Sequence, residues 1–298
     1  MVSTTLYQDL VQKISIHLNS LPDKPEETPD YIVRALWHMA AGVPMSIQRA
    51  SEVPLPELDD LAAAKLHELV AQREAGVPVA YLTGRQRFMG LELLVNRGSL
   101  IPRKETELLG QSAVEILRRL ANLRNDVTAI DICTGSGNLA VALAHYVPQA
   151  RLYASDLSHE AVELARQNVW HLGLEGRMEV WEGDLLAPFE SELFYGKLDL
   201  ITCNPPYISS RKVDTMPEEI IDHEPRMAFD GGPFGIKIVN RFIQEAPRFL
   251  RKEGWIAFEV GLGQGPAILQ RLERNEKFRQ TYPITDSAGN IRGVMASI

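Results

Sequence analysis

The sequence predicts a doubly wound α/β domain behind a small helical N-terminal domain. Three observations carry that expectation. From Glu105 onward, short apolar runs alternate with helical patterns, as in a parallel sheet covered on both faces. One of those runs leads into Asp131-Ile132-Cys133-Thr134-Gly135-Ser136-Gly137 and then into a helix, the context that gives a glycine-rich motif meaning. Before residue 85, by contrast, helical spacing is repeatedly broken by proline.

In chain order, apolar residues recur at helical spacing over Leu6 to Leu18, Asp30 to Ala41 and Leu58 to Glu74, and Pro22, Pro25, Pro29, Pro44, Pro54 and Pro56 fall between these stretches. Residues 1–85 are therefore expected to form a helical domain. Pro78 to Leu82 and Arg87 to Val95 read as extended, so 86–104 is expected to be a hairpin-like link ending at Leu100-Ile101-Pro102-Arg103. Within 105–298 the expected strands are Ala129 to Ile132, Arg151 to Ala154, Glu179 to Trp181, Leu198 to Cys203 and Trp255 to Val260. Helices are expected over Leu139 to His145, Glu160 to Leu172 and Ile236 to Leu250. Trp37, Trp170, Trp181 and Trp255 sit in apolar patterns and are expected in the cores.

A chain of 298 residues, 45% of them hydrophobic, can bury such cores. Its net charge of -8 leaves no bulk attraction for phosphate backbones, which argues against general nucleic-acid binding. Cys133 and Cys203 are the only cysteines, each within an apolar run, which suits a reducing cytoplasm rather than a disulfide framework. The histidines show no metal-ligand spacing, so no metal is expected. No apolar stretch approaches the roughly 18 residues of a membrane span, and the N-terminal segment is polar, so a cytoplasmic location is expected.

The glycines of the 131–137 loop let the backbone turn sharply and approach a ligand closely. Asp131, at the strand end, can hold an ammonium group directly or through water but would repel a pyrophosphate. This favours the amino-acid end of S-adenosylmethionine over a dinucleotide. GxGxxG and GxxxxGK patterns are both absent. Asp156 ends the next run, about 20 residues beyond the loop, where such folds present an acid to ribose hydroxyls. Asp184 can accept from an adenine amino group, with Leu185 as an apolar wall; a plain loop or cap role is the alternative for Asp184.

Asn204-Pro205-Pro206-Tyr207 follows the run Leu198 to Cys203, at the carboxyl end of an expected strand. Asn204 and Pro205 each precede a proline, which holds them extended and stiffens the loop. The Asn204 side-chain oxygen and the Pro205 carbonyl can grip the two hydrogens of a planar NH2 group. Its delocalised lone pair is a weak nucleophile, so a catalyst gains by positioning, desolvation and stabilising the charge that develops on nitrogen. Tyr207 can lay its ring on the flat group. Asn204, Pro205 and Tyr207 are thus the candidate catalytic residues, with Pro206 completing the substrate grip.

From about residue 75 the sequence resembles the glutamine N5-methyltransferases that modify peptide-chain release factors, and the related ribosomal-protein glutamine methyltransferases. The resemblance lies in Pro78 to Gly84, Phe88, Leu100 to Arg103, Thr106-Glu107, the glycine loop, Asn204 to Tyr207, Glu224-Pro225-Arg226, Gly231-Gly232 and the tail Asp286 to Arg292. It implies a Rossmann-like class I methyltransferase domain, cofactor contacts from Cys133 to Gly137, Asp156, Leu185 and Asn204, a glutamine amide held by Asn204 to Tyr207, and substrate recognition by the helical domain. Two departures stand out: Pro233-Phe234 replaces x-Asp between Gly232 and Gly235, and Lys104 replaces a proline.

Those departures keep a second reading open, N-methylation of a small amine or amide metabolite; nucleic-acid adenine methylation is a third, disfavoured by the acidic balance. His223 beside Glu224 reads as solvated or structural rather than as an acid–base pair. Arg103 can meet a cofactor carboxylate or tie the link to an acid.

Overall fold

The computed structural model describes residues 2–17 and 24–298; Leu18 and Pro22 of the expectations above lie outside them. The chain divides into two compact units. One comprises Met1–Arg97, Ile101–Lys104 and Pro217–Glu224, the other Gly98–Leu100, Glu105–Met216 and Pro225–Ile298. The hairpin expected as a link is thus part of the first unit.

The first unit contains helices α1 (Val2–His17), α2 (Pro29–Ala40), α3 (Ile47–Glu52), α4 (Asp60–Glu74) and α5 (Val79–Thr83), and strands β1 (Arg85–Phe88) and β2 (Leu91–Leu94). Thr28 caps α2 by accepting from Tyr31 N, with Pro29 in the first turn, and Asp59 caps α4 by accepting from Ala62 N. Both are side chains that satisfy an N–H without an intrahelical partner. The apolar faces meet in a core of Leu10, Ile14, Leu36, Trp37, Leu66 and Val70, and the Trp37 indole donates to Pro56 O at 2.8 Å.

Within the stretch 78–82 expected to be extended, the chain instead enters helix α5, Val79–Thr83. Pro78 provides the N-cap at φ -56, Val79 and Leu82 enter the helical core, and Gly84 ends the turn in the left-handed region at φ 66. Burial of both apolar side chains overrides local preference here. β1 and β2 do form an antiparallel hairpin, Arg85 opposite Leu94. Met89 and Gly90 at its tip both have positive φ, as a tight hairpin turn requires.

The second unit runs α6 (Thr106–Leu123), β3 (Thr128–Ile132), α7 (Asn138–Tyr146), β4 (Arg151–Asp156), α8 (His159–His171), β5 (Met178–Glu182), β6 (Leu198–Cys203) and α9 (Ser210–Val213). After α10 (Glu218–Ile221), which belongs to the first unit, follow α11 (Lys237–Glu245), β7 (Leu250–Glu259), α12 (Gly265–Glu273), β8 (Gln280–Thr285) and β9 (Ile291–Ser297). The sheet order is β5-β4-β3-β6-β7-β9-β8. β3 to β7 pair in parallel and the last two strands antiparallel. The five expected strands are present within a doubly wound Rossmann-like sheet.

The antiparallel pair was not expected. β8 shows mostly polar or exposed positions, and a short turn closed by Asp286, rather than a crossover helix, returns the chain into β9; a connection that short permits only antiparallel pairing. The helix expected over 236–250 ends at Glu245, where Pro247 interrupts it and a 3-10 turn leads into β7. Trp37 and Trp255 are core residues, but Trp170, on α8, is 74% exposed, a correction to the expectation that all four tryptophans are buried. Its neighbours Asn168 and Val169 occupy the buried face instead. Among the described residues no helix is long and apolar enough to cross a membrane.

Residues 217–224 are held in the first unit by buried charge. Glu219 pairs with Lys24 at 2.8 Å and Arg73 at 3.0 Å, both cations being only 6% exposed, and Glu27 lies beside them. Removing one partner of a buried pair strands the other charge, at a cost of roughly 3–5 kcal/mol. Glu219→Ala should therefore lower the thermal unfolding midpoint by several degrees; a midpoint equal to the wild type's would show that the pair adds no stability.

Candidate active site

In a sheet wound both ways from its middle, the carboxyl ends of the two strands at the reversal flank a crevice. Here those strands are β3 and β6. They pair in parallel with Ile132 opposite Cys203, so the loops beginning at Cys133 and Asn204 leave the sheet side by side. The glycine-rich loop and the Asn-Pro-Pro-Tyr segment, 67 residues or more apart by number, are neighbours by register.

The first loop is over-determined. Cys133, Gly135 and Gly137 have φ of 54, 54 and 80. A Cβ on Gly137 would lie 3.2 Å from the Ala165 Cβ of α8, so both conformation and helix approach call for glycine there. Thr134 N donates to Ser155 O, and Gly135 N donates to Asp156 Oδ2 at 2.8 Å. Thr134, Ser136 and Gly137 are buried, leaving Cys133 and Gly135 as the accessible crest. Cys203 is fully buried, and burial together with the Cys133 side chain pushes its thiol up.

The predicted acids take different places. Asp131 is 1% exposed and accepts from Thr134 Oγ1 and Thr202 Oγ1, each at 2.6 Å. It braces the loop from beneath and does not present an open carboxylate. Burial pushes its carboxyl from 3.8 up to about 7, against the pull of the two threonine hydroxyls. Asp156 is half-buried and accepts from Ser158 N and Gly135 N, one on each oxygen, so each oxygen keeps a lone pair for a further donor. Asp184 is engaged by Arg241 at 2.9 Å. Leu185, at φ 51, is 4% exposed and packs within the sheet's hydrophobic core.

The second loop is held along its length. Ile208 N donates to Phe229 O and Gly231 N to Ile208 O. A Cβ on Gly231 would lie 2.5 Å from Pro206 O, and one on Gly235 would overlap the Tyr207 carbonyl. The glycines therefore let this segment lie directly against the Pro206–Tyr207 backbone. Between them Phe234 is 81% exposed, so the departure noted in the sequence falls at an outer tip. Lys104 is exposed as well. Gln264 Nε2 donates to Tyr207 O at 2.9 Å.

Two residues not singled out for a role complete the site. Tyr207 OH donates to Glu259 Oε1 at 2.8 Å, Thr106 Oγ1 donates to Glu259 Oε2 at 2.7 Å, and Asn204 Nδ2 donates to Thr106 Oγ1 at 3.3 Å. Glu259 was hidden by its setting, the apolar run of β7; its one signal is that a carboxylate inside such a strand must find donors. Arg103 is paired with Glu224 in the first unit, which also holds His223.

Residues 111–236 match the family described as Methyltransferase small domain. The release factor glutamine methyltransferase of Moorella thermoacetica is 36% identical over 260 residues, 87% of each chain. That of Gloeobacter violaceus is 36% identical over 235 residues, 78% of this chain and 79% of its own. The chain belongs to the release factor glutamine methyltransferase family. Among solved structures, the N-terminal domain of human METTL16 in complex with SAH superposes with a TM-score of 0.52 at 17% identity, covering 94% of this chain and 98% of that one. This likeness is one of fold.

The buried Asp131 gives this methyltransferase a pH signature. With its carboxyl held at about 7 instead of 3.8, the folded protein keeps a proton that the unfolded chain has released between those values. The group's contribution to stability is therefore fully present below the lower value and lost as pH rises through the upper one. Asp131→Asn removes that loss, so its melting temperature relative to wild type should climb from pH 4 to pH 8; a constant difference would refute the assignment.

Proposed function

We propose that this enzyme transfers the methyl group of S-adenosylmethionine to the side-chain amide nitrogen of a glutamine in a peptide-chain release factor. The observation that carries the reading is the β3–β6 register, which sets a glycine loop suited to the methyl donor beside a loop suited to a planar NH2 group.

The residues fit the cofactor. The crest at Cys133 and Gly135 is partly exposed on a curled backbone, and Asp156 retains acceptor capacity on both oxygens for a ribose diol. Asp131 serves that site indirectly, through the loop it braces. Asp184 and Leu185 fit the adenine end less well, since one is paired with Arg241 and the other packed in the core. When bound, S-adenosylmethionine supplies an electrophilic methyl group.

At the acceptor side, Asn204 Oδ1 and Pro205 O receive no hydrogen bond from the described residues. Both can take the amide hydrogens, orient the nitrogen lone pair and stabilise the positive charge that develops as the N–C bond forms. Tyr207, fixed through its hydroxyl, offers a rigid ring for the planar group. The helical unit recognises the protein substrate, and the reaction belongs in the cytoplasm with translation. The metabolite reading rested on Phe234 and Lys104, and both side chains are exposed.

Incubation of the purified chain with methyl-labelled cofactor and release factor should place one methyl group on glutamine, located by mass spectrometry. Asn204→Ala should lower kcat roughly a hundredfold or more while changing cofactor affinity far less. Label appearing only on a metabolite or RNA, or an equally active variant, would overturn the proposal.

A further inference from the structure

We infer that Glu259 and Thr106 are positioning residues that set the polarity of the Asn204 side-chain amide, turning its oxygen toward the methyl acceptor. The inference rests on the function proposed above.

An asparagine amide has nearly the same shape in its two orientations, yet only one presents an acceptor to a substrate NH2 group. Something must choose between them. Glu259, 2% exposed at the end of β7, takes both of its hydrogen bonds in the site from hydroxyls. Burial pushes its carboxyl up, and the Thr106 and Tyr207 hydroxyls pull it back toward the ionised form. With both hydroxyls donating to it, the carboxylate acts as acceptor on each oxygen. Thr106, 1% exposed at the start of α6, has a single hydroxyl proton and spends it on Glu259 Oε2. Its remaining capacity is for accepting. The group that meets it from Asn204 is accordingly the NH2, Nδ2, which leaves Oδ1 for the substrate. The second oxygen of the same carboxylate accepts from Tyr207 OH, so one buried carboxylate orients both the Asn204 and the Tyr207 side chains. The reciprocal arrangement, with Thr106 donating to Asn204 Oδ1, would set NH2 against NH2 at the acceptor.

The carboxylate's polarity, rather than its bulk, is what matters. Glu259→Gln keeps the shape but introduces a donor, so one hydroxyl must reverse. Thr106→Val keeps the shape and removes the relay; Thr106→Ser keeps the relay. With purified full-length protein, methyl transfer to release factor should fall roughly tenfold to a hundredfold in kcat for Glu259→Gln and Thr106→Val. KM for the release factor and the Kd for S-adenosylmethionine should change little, and Thr106→Ser should restore most of the rate. In an Asn204→Ala background Thr106→Val should cost nothing further.

Thr106→Val as active as wild type, or a loss of the same size in the Asn204→Ala background, would overturn the inference alone. So would loss of cofactor binding in parallel with turnover, since that is the mark of a merely structural role. A wild-type chain that binds cofactor but methylates no release factor would overturn the function proposed above, and this inference with it.

Discussion

The parallel pairing of β3 with β6 is the constraint on which the rest of the site depends. Successive strands from β3 build outward one way through β4 and β5, and from β6 the other way through β7. The two connections that leave the sheet at the reversal have no helix between them to fill the space, which is why open α/β sheets bind ligands there. The residue pair Ile132 and Cys203 closes the register, and a shift along either strand would carry one loop away from the other by about 3.3 Å per residue. Apolar burial of both strands on both faces holds that register.

Given the register, the site is made rigid by two complementary devices. Glycines at 137, 231 and 235 remove side chains where backbone or a neighbouring helix approaches too closely for a Cβ. Prolines at 205 and 206 remove conformations from the acceptor loop itself. Buried carboxylates then take up the hydrogen-bond donors that such close packing would leave without water: Asp131 beneath the glycine loop and Glu259 beneath the proline loop, each receiving two hydroxyl groups. A polar group buried with partners specifies one arrangement, because every alternative leaves it unpaired at a cost.

Much of this was legible in the sequence. The strands from Ala129 to Val260, the helices between them, the β1–β2 hairpin, the glycine loop and the Asn-Pro-Pro-Tyr segment all carry local signals: apolar periodicity, glycine where φ is positive, proline where the chain is stiff. Residues 78–82 were misjudged because their conformation is settled by the helical core they enter. β8 and β9 were missed because a half-exposed edge hairpin carries little apolar patterning, and Trp170 was misplaced because helical periodicity does not say which residue of a neighbouring pair faces the core.

What the sequence by itself determined is the chemistry available: two short motifs whose backbone restrictions and acceptor atoms suit a methyl donor and a planar nitrogen. Those properties are local, belonging to glycine, proline and asparagine wherever they stand. Tertiary structure alone decided how that chemistry is deployed. It buried Asp131 so that it shapes the loop, drew Asp184 to Arg241 and Leu185 into the core, and brought Thr106 and Glu259, 153 positions apart, into one hydrogen-bonded chain with Asn204. Burial and pairing depend on which elements pack together, and a hydrogen bond between distant residues leaves no mark on either one's neighbours in the chain.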